Sequence, residues 1–236
     1  MASRRVKKDK FFKIGHRGAC GYEPENTLRS FKKALALGVD MIELDVHRCA
    51  SGEAVVIHDK NLERTTDGVG DVTKKSFDEI RALDAGYGEK IPRLEEILDL
   101  VNKKALVNIE LKSAGSVKPV ARLLDRYIKE YGWSRGDFLV SSFNRGNLSA
   151  FYRLSPSIKL GVLGEKMDKA LFAFAKTINA FSLHLPKRYA KKRYIDAAHK
   201  NNTRIFIYTV DDKNDIKKMK ALGVDGIFSN YPDRLL

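Results

Sequence analysis

Cysteine is scarce in this chain of 236 residues, which contains only Cys20 and Cys49. Two cysteines are too few for a disulfide framework, and their spacing matches no zinc-binding motif. A metal site at this pair would need additional histidine ligands. We therefore expect two free thiols.

Long apolar runs are also absent. No segment approaches the roughly 20 consecutive apolar residues of a membrane-spanning helix. Residues 1–10 are basic, but they lack the apolar stretch of a secretory signal. The sequence therefore predicts a cytoplasmic protein with a basic leader, residues 1–10, and one domain over residues 11–236. The hydrophobic content of 43% suffices for a large core.

Acidic residues are outnumbered, because 44 Lys and Arg face 30 Asp and Glu and give a net charge of +14. Such a charge attracts polyanions, anionic lipid surfaces or phosphorylated substrates. A nucleic-acid or membrane-surface binder is therefore one hypothesis. The basic residues are scattered, however, and only residues 187–194 approach the mixture of basic and aromatic side chains typical of a nucleic-acid platform. We favour a solvated basic surface that steers an anionic substrate, without specific nucleic-acid binding.

Apolar periodicity alternates between strand and helix along the chain. The predicted strands are residues 11–15, 41–46, 106–111, 138–141, 159–163, 180–185, 204–210 and 226–229. The predicted helices are residues 28–37, 77–83, 93–101, 117–131, 145–154, 169–176, 192–201 and 214–221. Eight such units predict an α/β fold of the TIM (β/α)8 barrel type. No GxGxxG motif follows a strand, which argues against a dinucleotide site.

The segment 41–59 combines a strand with a predicted hairpin. Glu43, Asp45 and then His47 share one face, since strand side chains alternate with period two. The link to the next apolar run, residues 54–57, is too short for a parallel crossover. We therefore predict a hairpin arm over about residues 46–58 that turns near residues 51–52. This turn would set Asp45 opposite His58 on the same face.

Catalytic groups of a TIM barrel lie at the C-terminal ends of its strands. Glu43, Asp45 and Glu110 occupy such positions, and carboxylates without a nearby thiolate suit an oxygen-preferring cation such as Mg²⁺ or Ca²⁺, with Mn²⁺ also compatible. The alternative is an ion network in which these acids pair with Arg17 or Lys112.

Two histidines lie beside these carboxylates, and imidazole titrates near neutral pH. His16 and His58 are therefore candidates for a general acid and base. Arg17 offers a fork of donors for phosphate, and Lys112 offers a point charge. Together these groups predict a phosphoryl-transfer site. For the other histidines we expect a supporting or surface role (His47), either a site or a structural role (His184) and a surface position (His199).

Several ordered motifs resemble the signature of glycerophosphodiester phosphodiesterases. They are His16-Arg17-Gly18, Pro24-Glu25-Asn26-Thr27, Glu43-Leu44-Asp45, His58-Asp59, Leu62-Glu63-Arg64-Thr65-Thr66, Ile91-Pro92, Glu110-Leu111-Lys112, Ser142-Phe143, Tyr208-Thr209-Val210, Gly223-Val224-Asp225-Gly226 and Tyr231-Pro232-Asp233. The likeness spans nearly the whole chain.

This resemblance implies a barrel of the phospholipase-C-like phosphodiesterase type. It implies metal-dependent hydrolysis of a small glycerophosphodiester to glycerol 3-phosphate and an alcohol, as in lipid and glycerol metabolism. It assigns the acid and base to His16 and His58, and phosphate contacts to Arg17 and Lys112. It assigns metal binding to Glu43, Asp45 and Glu110. The attacking group is either a substrate hydroxyl, through a cyclic phosphate, or water.

Two departures from the family pattern concern substrate preference. Tyr208 stands where a Trp is common and keeps an aromatic wall for the substrate, while Ser229-Asn230 replaces Thr-Asp and removes a charge. An alternative substrate is a lysophospholipid, cleaved by a lysophospholipase D reaction, but the short loop 60–75 offers little apolar area for an acyl chain. A homodimer is compatible with the sequence.

Overall fold

The structure is a computed structural model that describes residues 10–236. The predicted basic leader therefore lies outside the described residues, apart from Lys10. The strands are β1 (Phe12–Gly15), β2 (Met41–Arg48), β3 (Ala54–Val56), β4 (Leu106–Leu111), β5 (Phe138–Ser142), β6 (Lys159–Leu163), β7 (Ser182–Pro186), β8 (Arg204–Tyr208) and β9 (Gly226–Ser229).

The strands form a closed barrel. Neighbouring strands pair in the order β1-β9-β8-β7-β6-β5-β4-β2, and β1 also pairs with β2, which closes the ring. All of these pairs are parallel. The predicted TIM barrel is therefore confirmed, and the C-terminal ends of its strands form one rim.

Helices lie in the connections between the barrel strands, and all except α2, whose Ile80 packs against the hairpin arm, cover the outer faces of the strands. They are α1 (Leu28–Ala36), α2 (Phe77–Ala82), α3 (Leu94–Val101), α4 (Val117–Glu130), α5 (Arg145–Leu154), α6 (Lys169–Thr177), α7 (Lys192–Lys200) and α8 (Lys213–Leu222). Side-chain caps fix several starts: Thr27 accepts a hydrogen bond from Ser30 N, and Asp212 accepts one from Asp215 N. Within residues 10–236, no helix combines the length and apolar character needed to cross a bilayer.

The hairpin arm is confirmed, but its predicted register is wrong by one residue. β3 pairs antiparallel with β2, with Val46 opposite Val56. Ile57 N therefore donates to Asp45 O at 3.0 Å, so Ile57 lies opposite Asp45 and His58 is one residue further on. The reason is the turn: Cys49 N donates to Glu53 O across a three-residue loop that ends at Gly52, whose φ is +113°. A two-residue loop would have given the predicted pairing.

The barrel interior is divided between an apolar lower half and a polar upper half. Ile14, Met41, Leu139, Phe206 and Phe228 fill the lower part, and all are less than 4% exposed. Burying one such side chain contributes about 1.5–3 kcal/mol. This packed layer gives the polar groups above it a rigid floor.

Candidate active site

A pocket of about 170 Å³ opens at the C-terminal end of the barrel. Its lining includes several residues predicted from the sequence, namely His16, Arg17, Glu43, His58, Glu110 and Tyr208. They come from β2, β4, β8, the loop after β1 and the segment after β3, and the barrel brings them together at one rim. His184 also lines the pocket, so of the two roles expected for it, the position in the site is the one observed.

The three predicted carboxylates form one buried cluster. One oxygen from each of Glu43, Asp45 and Glu110 lies within 4.8 Å of the others, and the three residues are at most 7% exposed. Period-two alternation turns Glu43 and Asp45 inward, and the β2–β4 register places Asp45 beside Glu110. Burial and the neighbouring negative charges raise the pKa of Glu43 well above its usual value. Burial and the charge of Asp45 raise the pKa of Glu110 to about 7.

Two cations accompany the carboxylates. Lys112 Nζ lies 2.7 Å from Glu110 Oε1 and 3.5 Å from Asp45 Oδ1, and Arg17 Nε lies 3.4 Å from Asp45 Oδ2. Burial alone would raise the pKa of Asp45, but the charges of Lys112 and Arg17 outweigh it and hold this pKa below its ordinary value. The alternative ion network is thus present in the structure, although in the described part of the chain the three acids of the cluster face only two cations.

The chemistry of the cluster fits a hard divalent cation. Asp45 Oδ1 is buried, and although the Lys112 ammonium lies 3.5 Å away, this oxygen has no hydrogen-bond partner among the described residues. An oxygen of this kind is costly unless a cation or a donor satisfies it. Carboxylate oxygens are the ligands that Mg²⁺ and Ca²⁺ prefer. An ion held by Glu43, Asp45 and Glu110 would satisfy that oxygen and balance the excess negative charge.

The loop after β1 adopts an unusual backbone conformation that serves the cluster. Arg17 has φ +49° and Asn26 has φ +59°, both in the left-handed region that non-glycine residues rarely adopt. There, Arg17 N donates to Glu43 Oε2 at 2.9 Å, and Asn26 Nδ2 donates to Asp45 Oδ2 at 3.0 Å. No role was predicted for Asn26. Its place between Glu25 and Thr27, inside one of the motifs that resemble the family signature, could have indicated a role in the site.

His16 is oriented by a chain of hydrogen bonds from the last strands. Its Nδ1 lies 2.7 Å from Asn230 Oδ1, and Asn230 Nδ2 donates to Asp211 Oδ2 at 2.8 Å. The Asp211 carboxylate can only accept, which fixes the amide orientation and directs Oδ1 at the imidazole. Nδ1 therefore carries the proton, and Nε2 has no hydrogen-bond partner among the described residues. Burial and the Arg17 charge lower the pKa of His16, so the ring is neutral near pH 7.

His58 is held in a comparable way, but by its sequence neighbour. Its Nδ1 lies 2.5 Å from Asp59 Oδ1, and Arg64 Nε lies 2.5 Å from Asp59 Oδ2. The hydrogen bond from Arg64 is the main reason that the pKa of Asp59 is far below its usual value. Arg64 also contacts Glu25, which in turn pairs with Arg17.

The remaining pocket wall is aromatic. The Phe143 and Tyr208 rings meet edge to face, with 6.1 Å between centroids. Tyr208 OH donates to Gly164 O at 3.1 Å, so the ring is directed at the pocket while the hydroxyl is already engaged. His184 is fully buried, and burial lowers its pKa to about 3, so it is a neutral wall residue. A methyl group on Gly161 would lie 2.6 Å from His184 Nε2, which explains the glycine there.

The other histidines and the cysteines lie outside the pocket lining. His47 is buried, and its Nε2 lies 3.1 Å from the His58 carbonyl oxygen, so it supports the hairpin arm. His199 lies on α7, is exposed, and contacts Asp225 at 2.8 Å. Cys20 and Cys49 are free thiols, as predicted.

Comparison with known proteins agrees with this geometry. Residues 16–234 match the profile of the glycerophosphoryl diester phosphodiesterase family. The glycerophosphodiester phosphodiesterase of Caldanaerobacter subterraneus is 38% identical over 232 residues, which cover 94% of this chain and 95% of that protein. One from Bacillus altitudinis is 37% identical, with the same shares covered.

A solved structure is similar as well. It is an Oleispira antarctica phosphodiesterase in complex with its product sn-glycerol-3-phosphate, and it superposes with a TM-score of 0.87. It is 29% identical, and the match covers 94% of each chain. The barrel, the carboxylate cluster and these likenesses agree: the chain belongs to the glycerophosphoryl diester phosphodiesterase family and is a phosphodiesterase of that kind.

Proposed function

We propose that this enzyme hydrolyses small glycerophosphodiesters to glycerol 3-phosphate and an alcohol, using one divalent cation and two histidines. The observation that carries the proposal is the presence in one pocket of a buried carboxylate triad and two imidazoles, each anchored through Nδ1. Glycerol 3-phosphate is the product bound to the Oleispira antarctica relative. One domain, residues 11–236, would carry the whole activity. A cytoplasmic location and a homodimer stay predictions.

The triad would hold the cation through Glu43, Asp45 and Glu110, with Mg²⁺, Ca²⁺ and Mn²⁺ as the candidates. When bound, this ion supplies positive charge against the phosphoryl oxygens of the substrate. Arg17 and Lys112 face the same cluster and would bind further phosphate oxygens. Arg17 contributes a planar fork of donors, whereas Lys112 contributes a point charge.

The two imidazoles would move the protons. His16 is neutral near pH 7 and its Nε2 is free, so it is suited to accept the proton of the attacking hydroxyl. His58 would then protonate the departing alkoxide, with Asp59 holding its ring. The attacking hydroxyl belongs either to the substrate glycerol, which gives a cyclic phosphate, or to water. Trapping a cyclic glycerophosphate would distinguish these routes.

A lysophospholipase D reaction is the alternative, but no observation favours it. The pocket of about 170 Å³ has little room for an acyl chain beside the phosphodiester. Turnover of glycerophosphocholine and of a lysophospholipid should be compared on the same preparation. Faster cleavage of the lipid would overturn the proposed substrate class.

The central experiment combines metal removal with histidine substitution. His16→Ala and His58→Ala should each lower kcat by at least about 100-fold, in the range typical of acid–base catalysis. The matched control is His199→Ala, at an exposed histidine outside the pocket, which should keep near-normal turnover. Metal-stripped enzyme should be inactive and recover with a divalent cation. Full activity without metal, or in either histidine variant, contradicts the mechanism.

A further inference from the structure

A second concave site lies on the outside of the barrel, between α4 and α5. This groove has a volume of about 940 Å³ and runs from the tip of the hairpin arm, at Gly52, to the end of α5, at Leu154. The loops after β4 and β5 separate it from the pocket. Lys112 and Phe143 face the catalytic side of these loops, while Ala114 and Asn144 line the groove.

Among residues 10–236, four cations line the groove and no carboxylate does. They are Arg48, Lys118, Arg122 and Arg153. Throughout residues 10–236, none of the four makes an ion pair or a side-chain hydrogen bond. By contrast Arg126, one turn further along α4, pairs with Glu95 at 3.4 Å. Four unpaired like charges around one concavity produce a positive potential that only an anion from solution can neutralise.

A buried amide without a partner gives a second, independent indication. Asn147 is only 4% exposed and lines the groove, and its Nδ2 has no hydrogen-bond partner among the described residues. A buried donor of this kind is costly unless an acceptor reaches it. The groove also begins at the N-terminus of α4, where Ser116 forms no side-chain cap. The dipole of α4 favours an anion there, while Val117 N already donates to Ala114 O and Pro119 has no N–H.

We propose that this groove binds a small anion carrying more than one phosphate group. Lys118 and Arg122 are about 6 Å apart along α4, and Asn147 and Arg153 about 9 Å apart along α5, at 1.5 Å per residue. One phosphate group would therefore reach only part of the set, whereas a linear oligophosphate would contact donors at several levels. This site lies outside the catalytic pocket and does not depend on the proposed mechanism.

The test is a ¹⁵N NMR titration of the full-length enzyme with inorganic pyrophosphate, at constant free Mg²⁺. The backbone amides of Gly115 and Gly146 report on the groove, and the amide of Gly161 reports on the pocket. We expect saturable shifts at the groove amides. Inorganic phosphate should bind there at least threefold more weakly than pyrophosphate.

Charge-removing variants make the result specific. Arg122→Ser/Arg153→Ser should weaken pyrophosphate binding at the groove at least tenfold, while turnover of a glycerophosphodiester stays unchanged. Arg48→Ser tests separately the edge of the groove that lies at the hairpin arm. The matched control, Lys217→Ser/Lys218→Ser on α8, removes the same charge elsewhere and should change affinity less than twofold.

Three results would each overturn the proposal. The first is a shift confined to the Gly161 amide, and the second is equal affinity in the double variant and its control. The third is equal affinity for phosphate and pyrophosphate, since the groove would then recognise a single phosphate group.

Discussion

His16 Nδ1 and Asn230 Oδ1 lie 2.7 Å apart, although the two residues are 214 positions apart in the chain. The Asn230 amide oxygen can only accept a hydrogen bond, and the bond from Asn230 Nδ2 to Asp211 prevents the amide group from flipping. Asn230 is therefore a positioning residue for the proposed base, because it fixes both the orientation and the tautomer of the ring.

Asn230→Ala should lower kcat by about 10- to 100-fold, as is common when a group that orients a functional histidine is removed. KM and metal affinity should change little, since the Asn230 side chain neither lines the pocket nor contacts the carboxylate triad within residues 10–236. Steady-state kinetics and a metal titration check this. A rise in KM alone would argue against the positioning role.

Asn230→Asp should move the acidic limb of the kcat/KM profile to higher pH. Burial and Arg17 lower the pKa of His16 in the native enzyme. A carboxylate beside Nδ1 favours the charged ring, so the base would be protonated up to a higher pH. A pH–rate profile of the variant measures this shift, and an unmoved limb would show that His16 is not the titrating group.

Lys112→Met should tighten divalent-metal binding and weaken catalysis. Lys112 Nζ contacts Glu110 and Asp45, so its charge competes with a cation for these carboxylates. Because the same charge is proposed to bind the phosphate, kcat/KM should fall at least tenfold. Calorimetric metal titration and kinetics check both effects, with the exposed Lys104→Met as the matched control. Weaker metal binding would indicate that Lys112 organises the triad.

Metal-free protein should lose stability as pH rises from about 4.5 towards 8. The folded-state pKa of Glu110 is raised from 4.5 to about 7, so the folded state binds more protons than the unfolded state in this interval. Stability linked to this group is therefore greatest below pH 4.5 and is lost as pH passes through 7. Glu110→Gln should stabilise the metal-free protein at pH 8 by on the order of 2–3 kcal/mol.

Urea unfolding of the metal-free native and Glu110→Gln proteins at pH 5 and pH 8 measures this difference. The two proteins should differ more at pH 8 than at pH 5. A variant that is less stable than the native protein at pH 8 would contradict the assigned direction of the pKa shift.

Gly161→Ala should destabilise the fold by about 1–3 kcal/mol, a typical cost of overpacking. The added methyl group would lie 2.6 Å from His184 Nε2 on the neighbouring strand. In a His184→Ala background the same change should cost much less, since the clashing ring is gone. A double-mutant cycle by urea unfolding provides the comparison, and equal costs in both backgrounds would exclude this contact as the cause.

Much of the site followed from local sequence. Period-two alternation in β2 and β4 places Glu43, Asp45 and Glu110 on the inner face without tertiary information. The alternation of strand and helix predicted the barrel. Because catalytic groups of such a barrel lie at the C-terminal ends of its strands, the barrel in turn predicted that these residues share one rim. The register of the hairpin arm could not be obtained in this way. It depends on whether the loop has two or three residues, which the composition of residues 50–53 leaves open.

The contacts that orient the histidines could not be predicted from local patterns. Asp211 follows β8 and Asn230 follows β9, so their hydrogen bond to one another, and through it to His16, exists only after both strands pair. The need for a glycine at position 161 could not be predicted at all, because its small size matters only relative to His184 on β7.

The closure of the barrel between β1 and β9 has a consequence for biosynthesis. His16 N donates to Ser229 O across this seam, and Asn230 lies one residue beyond it. A nascent chain that has emerged only as far as β4 already contains all three carboxylates, yet nothing orients its proposed base. Catalytic competence should therefore arise late and abruptly, when the last strand joins the first, so that hydrolysis itself reports completed folding.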